Sequence, residues 1–116
     1  MSDTNMLQQS ELNPRQGSGP GFALVFYMRG NDWADAGELD LAIADYNAAL
    51  IINPMLAAAL ADRGVAWARK GEYDRAIADY DAALRIIPRD ERTKKNRAIA
   101  LDHKHQAEGR DPGSFN

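Results

Sequence analysis

His103 and His105 are the only imidazoles in the chain, and they stand close together in the run Asp-His-Lys-His-Gln-Ala-Glu. A metal site would be sought there first. On a helix, positions i and i+2 point about 200° apart, because each residue turns the helix by about 100°. A helical zinc site places its histidines at i and i+4, on one face. The pair therefore reads as a solvated helix end, and neither a metal nor a cofactor is expected. The chain has no cysteine, which removes disulfides, thiol catalysis and thiolate zinc sites. Its serines are Ser2, Ser10, Ser18 and Ser114, all near the ends, so no serine triad assembles from the middle of the chain. The run Gly17-Ser18-Gly19-Pro20-Gly21 has no strand before it and no lysine after it, as a phosphate-cradling loop requires. The carboxylates are read as lying mostly on exposed helix faces beside arginines. No enzymatic chemistry is expected.

Composition points the same way. At 116 residues there is room for one domain, 45% hydrophobic and 27% charged. A net charge of -3 argues against bulk affinity for nucleic acid. The apolar run Phe22–Met28, which no other run exceeds, is too short for a membrane span. No signal-peptide pattern is recognised, which makes a cytoplasmic protein the default expectation. Charge is unevenly placed: residues 23–56 carry a net -4, residues 57–90 balance, and residues 91–116 carry a net +2.

What the chain does contain is repetition. Residues 42–50 read AIADYNAAL and residues 76–84 read AIADYDAAL, 34 positions later. Laid over each other without gaps, residues 23–56 and 57–90 agree at 18 of 34 positions. The matches include Arg29/Arg63, Gly30/Gly64, Trp33/Trp67, Gly37/Gly71, Glu38/Glu72, Ile43/Ile77 and Pro54/Pro88. A fixed period of this length is the signature of a repeat architecture.

Each unit reads as two helices. Tyr73, Ala76, Ile77, Tyr80, Ala83, Leu84 and Ile87 are spaced by threes and fours, one face of an α-helix. Leu60, Gly64 and Trp67 continue the pattern in the earlier half. Gly71 is a helix stop between them, and Asn53-Pro54 reads as cap and first-turn proline of the next helix. After Pro88, Arg92, Lys94, Lys95, Ala98, Ile99, Leu101 and Asp102 still read as a helix, with Asp90 as its cap and Gly109 and Pro112 at its end. The spacing predicts helices at 22–36, 39–52, 54–70, 73–87 and 90–108, and no strand. Residues 1–21 are read as a flexible arm and 109–116 as a flexible tail.

The residues resemble the tetratricopeptide repeat, whose 34-residue pattern is W-x₂-L-G-x₂-Y, A-x₃-F and P. Phe26, Arg29, Gly30, Trp33, Ala42, Tyr46 and Pro54 match in the first copy. Leu60, Arg63, Gly64, Trp67, Ala76, Tyr80 and Pro88 match in the second. The resemblance implies an all-α fold, an antiparallel helix-pair solenoid of about five helices. One domain, 22–108, would hold repeats 23–56 and 57–90 and a closing helix at 90–108. Gly30, Gly64, Ala42 and Ala76 would let paired helices approach closely. Trp33, Trp67, Tyr46 and Tyr80 would fill the space between pairs.

The resemblance also implies a module that binds other proteins, with the first helix of each pair lining a concave groove. Some family members grip acidic chaperone tails with a carboxylate clamp. Here Asn31 and Arg92 match clamp positions, but Tyr27 stands for a lysine, Asp62 for an asparagine and Asn96 for an arginine. That use is not expected. The groove is expected to present Leu24, Tyr27, Ala58, Ala61, Val65, Ala68 and Ile99. Asn31, Asp35, Asp62, Arg69 and Arg92 would be its polar groups. Such a surface suits an apolar helix or an extended segment. The run Phe22–Met28 is apolar around the whole helix. Leu24, Val25, Tyr27 and Met28 are therefore expected to face outward and to support self-association, the alternative role.

Overall fold

The computed structural model describes residues 19–109. The expected arm over 1–18 and the tail from 110 onward lie outside the described residues. Five helices follow one another: α1 (Pro20–Asp35), α2 (Leu39–Ile52), α3 (Ala57–Arg69), α4 (Tyr73–Ile86) and α5 (Glu91–Ala107). Among the described residues there is no strand. α1 packs on α2 and α3 on α4; α2 then meets α3, and α4 meets α5. α1 also touches α3, and α3 touches α5, so the first helices form one continuous row.

The turns within the pairs are copies. Gly37 and Gly71 have φ of +81° and +82°, a conformation glycine reaches without a Cβ penalty. Glu38 N donates to Trp33 O and Gly37 N to Ala34 O, at 2.9 and 3.0 Å. Glu72 and Gly71 repeat both bonds onto Trp67 and Ala68. This is the Schellman ending, and it turns each first helix into its second.

The connections between pairs differ. The third helix begins at Ala57, not at 54, and Asn53 is not its cap. Asn53 ends α2, and its side chain accepts from Met55 N at 3.0 Å around Pro54. The helix N-cap position falls to Leu56, which has no side-chain cap to offer. One period later the same position is Asp90, which accepts from Thr93 N and from its hydroxyl. Those bonds hold the Asp90 carboxyl below its ordinary range. α1 starts two residues earlier than expected, with Pro20 in its first turn, so Pro20 and Gly21 belong to the helix and not to the arm.

Eleven of the sixteen buried apolar residues are alanine, so the helices pack closely and a few rings fill the gaps. The tyrosine rings lie against the glycines of their own pairs and also reach the next unit, at Ala66 and Ala100. A Cβ at Gly30 would stand 2.7 Å from Tyr46 Cε1, and one at Gly64 would stand 2.7 Å from Tyr80 Cε1. Each tyrosine thus lies flat on its own pair's glycine. The tryptophans sit farther out: Trp33 packs on the Ala42, Ile43 and Tyr46 cluster, and Trp67 joins that cluster to the Ala76 and Tyr80 cluster.

Two carboxylates are exceptions to the mostly exposed faces read from the sequence. Asp45 and Asp79 are each only 6% exposed. Arg29 forks onto Asp45 at 2.6 and 2.8 Å, and Arg63 onto Asp79 at 2.8 and 2.7 Å. Each pair ties a first helix to its second.

Candidate protein-binding groove

The row of α1, α3 and α5 carries two adjoining cavities. The first, about 290 Å³, is lined by Asn31, Asp35, Tyr46, Asp62, Val65 and Arg92. The second, about 360 Å³, takes in Val65, Arg69, Arg92 and Ile99, with the rings of Tyr73 and Tyr80. They meet at Val65 and Arg92. Of the residues expected in the groove, Asn31, Asp35, Asp62, Val65, Arg69, Arg92 and Ile99 are brought together here. Ala68, expected there too, lines the second cavity.

Beneath the first cavity lie two sets of polar contacts. Tyr27 Oη donates to Asp62 Oδ2 at 2.6 Å, and Arg92 Nη2 stands 3.3 Å from Asp62 Oδ1. One carboxylate thereby links all three first helices. Burial first, and then the bond to Asp62, push the Tyr27 hydroxyl above its ordinary pKa. Tyr46 Oη donates to Asn31 Oδ1 at 2.6 Å. A clamp for a partner's carboxylate would need this place free of one; Asp62 already fills it.

Other expected residues fall elsewhere. Ala61 is buried with Leu60 and Ala83 and gives the groove no surface. Tyr27 is half-buried, spent on Asp62 and stacked obliquely near Tyr46, with ring centroids 6.0 Å apart. Leu24 and Ala58 are exposed but line neither cavity. Val25 and Met28 are exposed as well. His103 stacks on Tyr73 with centroids 5.5 Å apart. It lines the second cavity, a position its spacing from His105 did not disclose. Among the described residues no cluster of three or more His, Cys, Asp or Glu could hold a metal ion. No described helix is long and apolar enough to cross a membrane.

Two features escaped the reading of the sequence. Arg69 Nη1 donates to Ala34 O at 2.9 Å, crossing from α3 to the last turn of α1. The second is an arginine ladder. Arg63 Nη1 also reaches back to Asn47 Oδ1 at 2.7 Å, and Arg97 reaches back to Asp81 at 2.5 Å. Arg29, Arg63 and Arg97 are spaced by 34 residues, so the period itself carried the signal past Pro88. α5 is the first helix of a third unit.

Comparison with known proteins agrees with this geometry. No curated protein sequence matches the chain. Among solved structures, one described as the crystal structure of MamA protein superposes with a TM-score of 0.70 at 25% identity, over 76% of this chain and 48% of that one. The chain thus spans about half the length of that relative. The sequence profile of the tetratricopeptide repeat matches residues 27–91. With that profile covering more than half of its length, and paired helices repeating at 34 residues, the chain belongs to the tetratricopeptide repeat family.

Proposed function

We propose that this chain is a protein-interaction module, a small adaptor or scaffold, that holds an extended segment or a helix of another protein along the row of α1, α3 and α5. The observation that carries the reading is the pair of adjoining cavities on that row, one of them partly floored by exposed Ile99. Repeat proteins of this family mediate protein–protein contact, and no catalytic role is proposed. A photoreactive side chain at position 99, inside the groove, is compared with one at Ala78, exposed on the cavity beside Asn47 and Trp67. Position 99 is expected to cross-link a discrete partner from source-cell extract that position 78 does not, and Ile99→Asp is expected to abolish its capture. Equal capture at both positions would sink the groove reading.

A second reading has its own observation. Leu24, Val25 and Met28 are 50%, 46% and 63% exposed on one helix, an apolar surface at one end of the row. At the other end, α5 presents Lys94, Lys95, Asp102 and His105 to solvent. The chain would then associate with itself through α1, and a two-fold dimer closes where a head-to-tail stack does not. Light scattering at low and high micromolar protein is expected to show a rising mass that Val25→Glu removes. A monomer mass throughout would end this reading.

A further inference from the structure

The two cavities of the groove use their charges differently. In the first, Asp62 and Asn31 are already taken by Arg92, Tyr27 and Tyr46. The second contains two guanidinium groups, Arg69 and Arg92, and no carboxylate among its lining residues. Arg69 is held by a main-chain carbonyl and, among the described residues, forms no ion pair within 4.0 Å. Arg92 keeps Asp62 only at 3.3 Å, with 67% of its side chain exposed. The arginines of the ladder, by contrast, are all engaged by carboxylates at 2.8 Å or less. Beside the two cations lie Val65, Ala68 and Ile99.

We infer that this second cavity selects an extended partner segment carrying a side-chain carboxylate next to an aliphatic residue. The carboxylate sits between Arg69 and Arg92, and the aliphatic group rests on Val65 and Ile99. The inference deepens the groove reading and rests on it. Two cations without a full counter-ion favour an anion, and a hydrogen bond to a charged group is stronger than a neutral one. Asp35, exposed in the first cavity, disfavours a segment that is acidic throughout, so the carboxylate is placed in the second cavity alone. The cavities run into one another at Val65 and Arg92, so a chain passes through, and the carboxylate belongs to a side chain and not to a chain end.

The test uses the full chain, labelled with nitrogen-15 and titrated with acetylated, amidated tripeptides: Leu-Glu-Leu, Leu-Gln-Leu and Leu-Lys-Leu. The Glu peptide is expected to shift the amides of Val65, Arg69, Arg92 and Ile99. It should bind about tenfold more tightly than the Gln peptide, the size of one charge-assisted contact. The Lys peptide should not displace these signals. Arg69→Gln and Arg92→Gln should each remove most of the Glu preference, while the dispersion of the remaining signals reports that the fold is intact. Equal shifts from the Glu and Gln peptides would overturn the charge selection and leave the groove reading standing. Binding only by a Leu-Leu dipeptide with a free carboxyl end would overturn the internal segment in favour of a chain terminus. No shift with any peptide would overturn this inference outright, and cross-linking from position 99 would then decide the groove separately.

Discussion

Arg29 in the first pair forks onto Asp45, and Arg63 in the second forks onto Asp79; yet Arg63 also reaches Asn47, and Arg29 has no such neighbour among the described residues. The second pair lies between α2 and α5, whereas among the described residues the first is flanked by α3 alone. Arg29 is accordingly 40% exposed and Arg63 23%. A repeat array gains stability from each unit and from each interface between units. Equivalent residues here share the first contribution and differ in the second. Substituting them in parallel isolates what a neighbour adds.

The largest contrast is at positions 25 and 59, one period apart. Ala59 is fully buried against Phe26, Ala48 and Ala49, while Val25 faces outward. Ala59→Glu would overpack the core and bury a charge without a partner, at several kcal/mol. In a domain stable by about 5–15 kcal/mol, most of the helical signal in circular dichroism is expected to vanish. Val25→Glu is expected to move stability by no more than about 0.5 kcal/mol. If both unfold the chain, the outer face of α1 is covered in solution and the contrast fails.

The arginine pairs come next. Arg63→Ala leaves Asp79 almost fully buried without its fork and removes the tie to Asn47. A loss of about 3 kcal/mol is expected, the low end for breaking a buried pair, because Arg63 still reaches solvent. Arg29→Ala should cost about 1–2 kcal/mol, since its guanidinium is better solvated and has no second partner. Urea denaturation of both variants tests the order. Equal losses would mean that the interface with α2 contributes nothing through Asn47.

Much of this fold was legible in the sequence, because the features that make it are local and repeated. Gly37 and Gly71 mark turns that only a positive φ completes, and they recur at the period. The start of α3 was misplaced because Asn53-Pro54 has the composition of a helix cap, while its geometry is a side-chain turn that closes α2. The buried state of Asp45 and Asp79 was hidden for another reason. Their arginines lie 16 residues away, a distance set by tertiary pairing and invisible to helical spacing. The groove was half legible. Eight of the residues expected there line the two cavities, but Ala61 and Val65, four apart, differ: Ala61 is buried with Leu60 and Ala83, while Val65 packs against the cluster of Ala76, Tyr80 and Ala100 and keeps part of its surface open. Spacing gives a face, and the neighbour decides which part of that face stays open.

A smaller effect is expected from Gly30→Ala and Gly64→Ala. The new Cβ would meet a tyrosine ring at 2.7 Å in either pair, with the carbonyl of Ala42 or Ala76 at 3.3 or 3.2 Å behind it. Overpacking of this kind costs about 1–3 kcal/mol, offset in part by the helix preference of alanine over glycine, up to about 1 kcal/mol. Both variants should melt earlier than the parent. The two losses should agree within a few tenths of a kcal/mol, because Tyr46 is backed by α3 through Ala66 as Tyr80 is backed by α5 through Ala100. A rise in melting temperature for either would show that the ring moves aside freely.

The subtlest contrast is electrical, and it draws on the uneven charge along the chain. Burial pushes the Tyr80 hydroxyl up to about 12; the Arg92 charge holds it back, while Asp62 and Asp79 add to the rise. Tyr46 is raised further, by burial first and then by Asp62, Tyr27 and Asp35, with only Arg69 opposing. A group whose pKa is raised on folding contributes stability that is complete below its unfolded value, about 10 for tyrosine, and is lost as pH rises through the folded value. Phenolate absorbance should therefore show Tyr80 ionising before Tyr46, and the fold should weaken from about pH 10 upward. Tyr46→Phe should relieve this alkaline loss more than Tyr80→Phe does. Arg92→Gln should push Tyr80 higher still and leave Tyr46 where it was, since the Arg92 charge is not among the influences on Tyr46. If Tyr46 titrates first, the acidic first repeat does not impose its charge on its own core, and the two pairs are electrically alike.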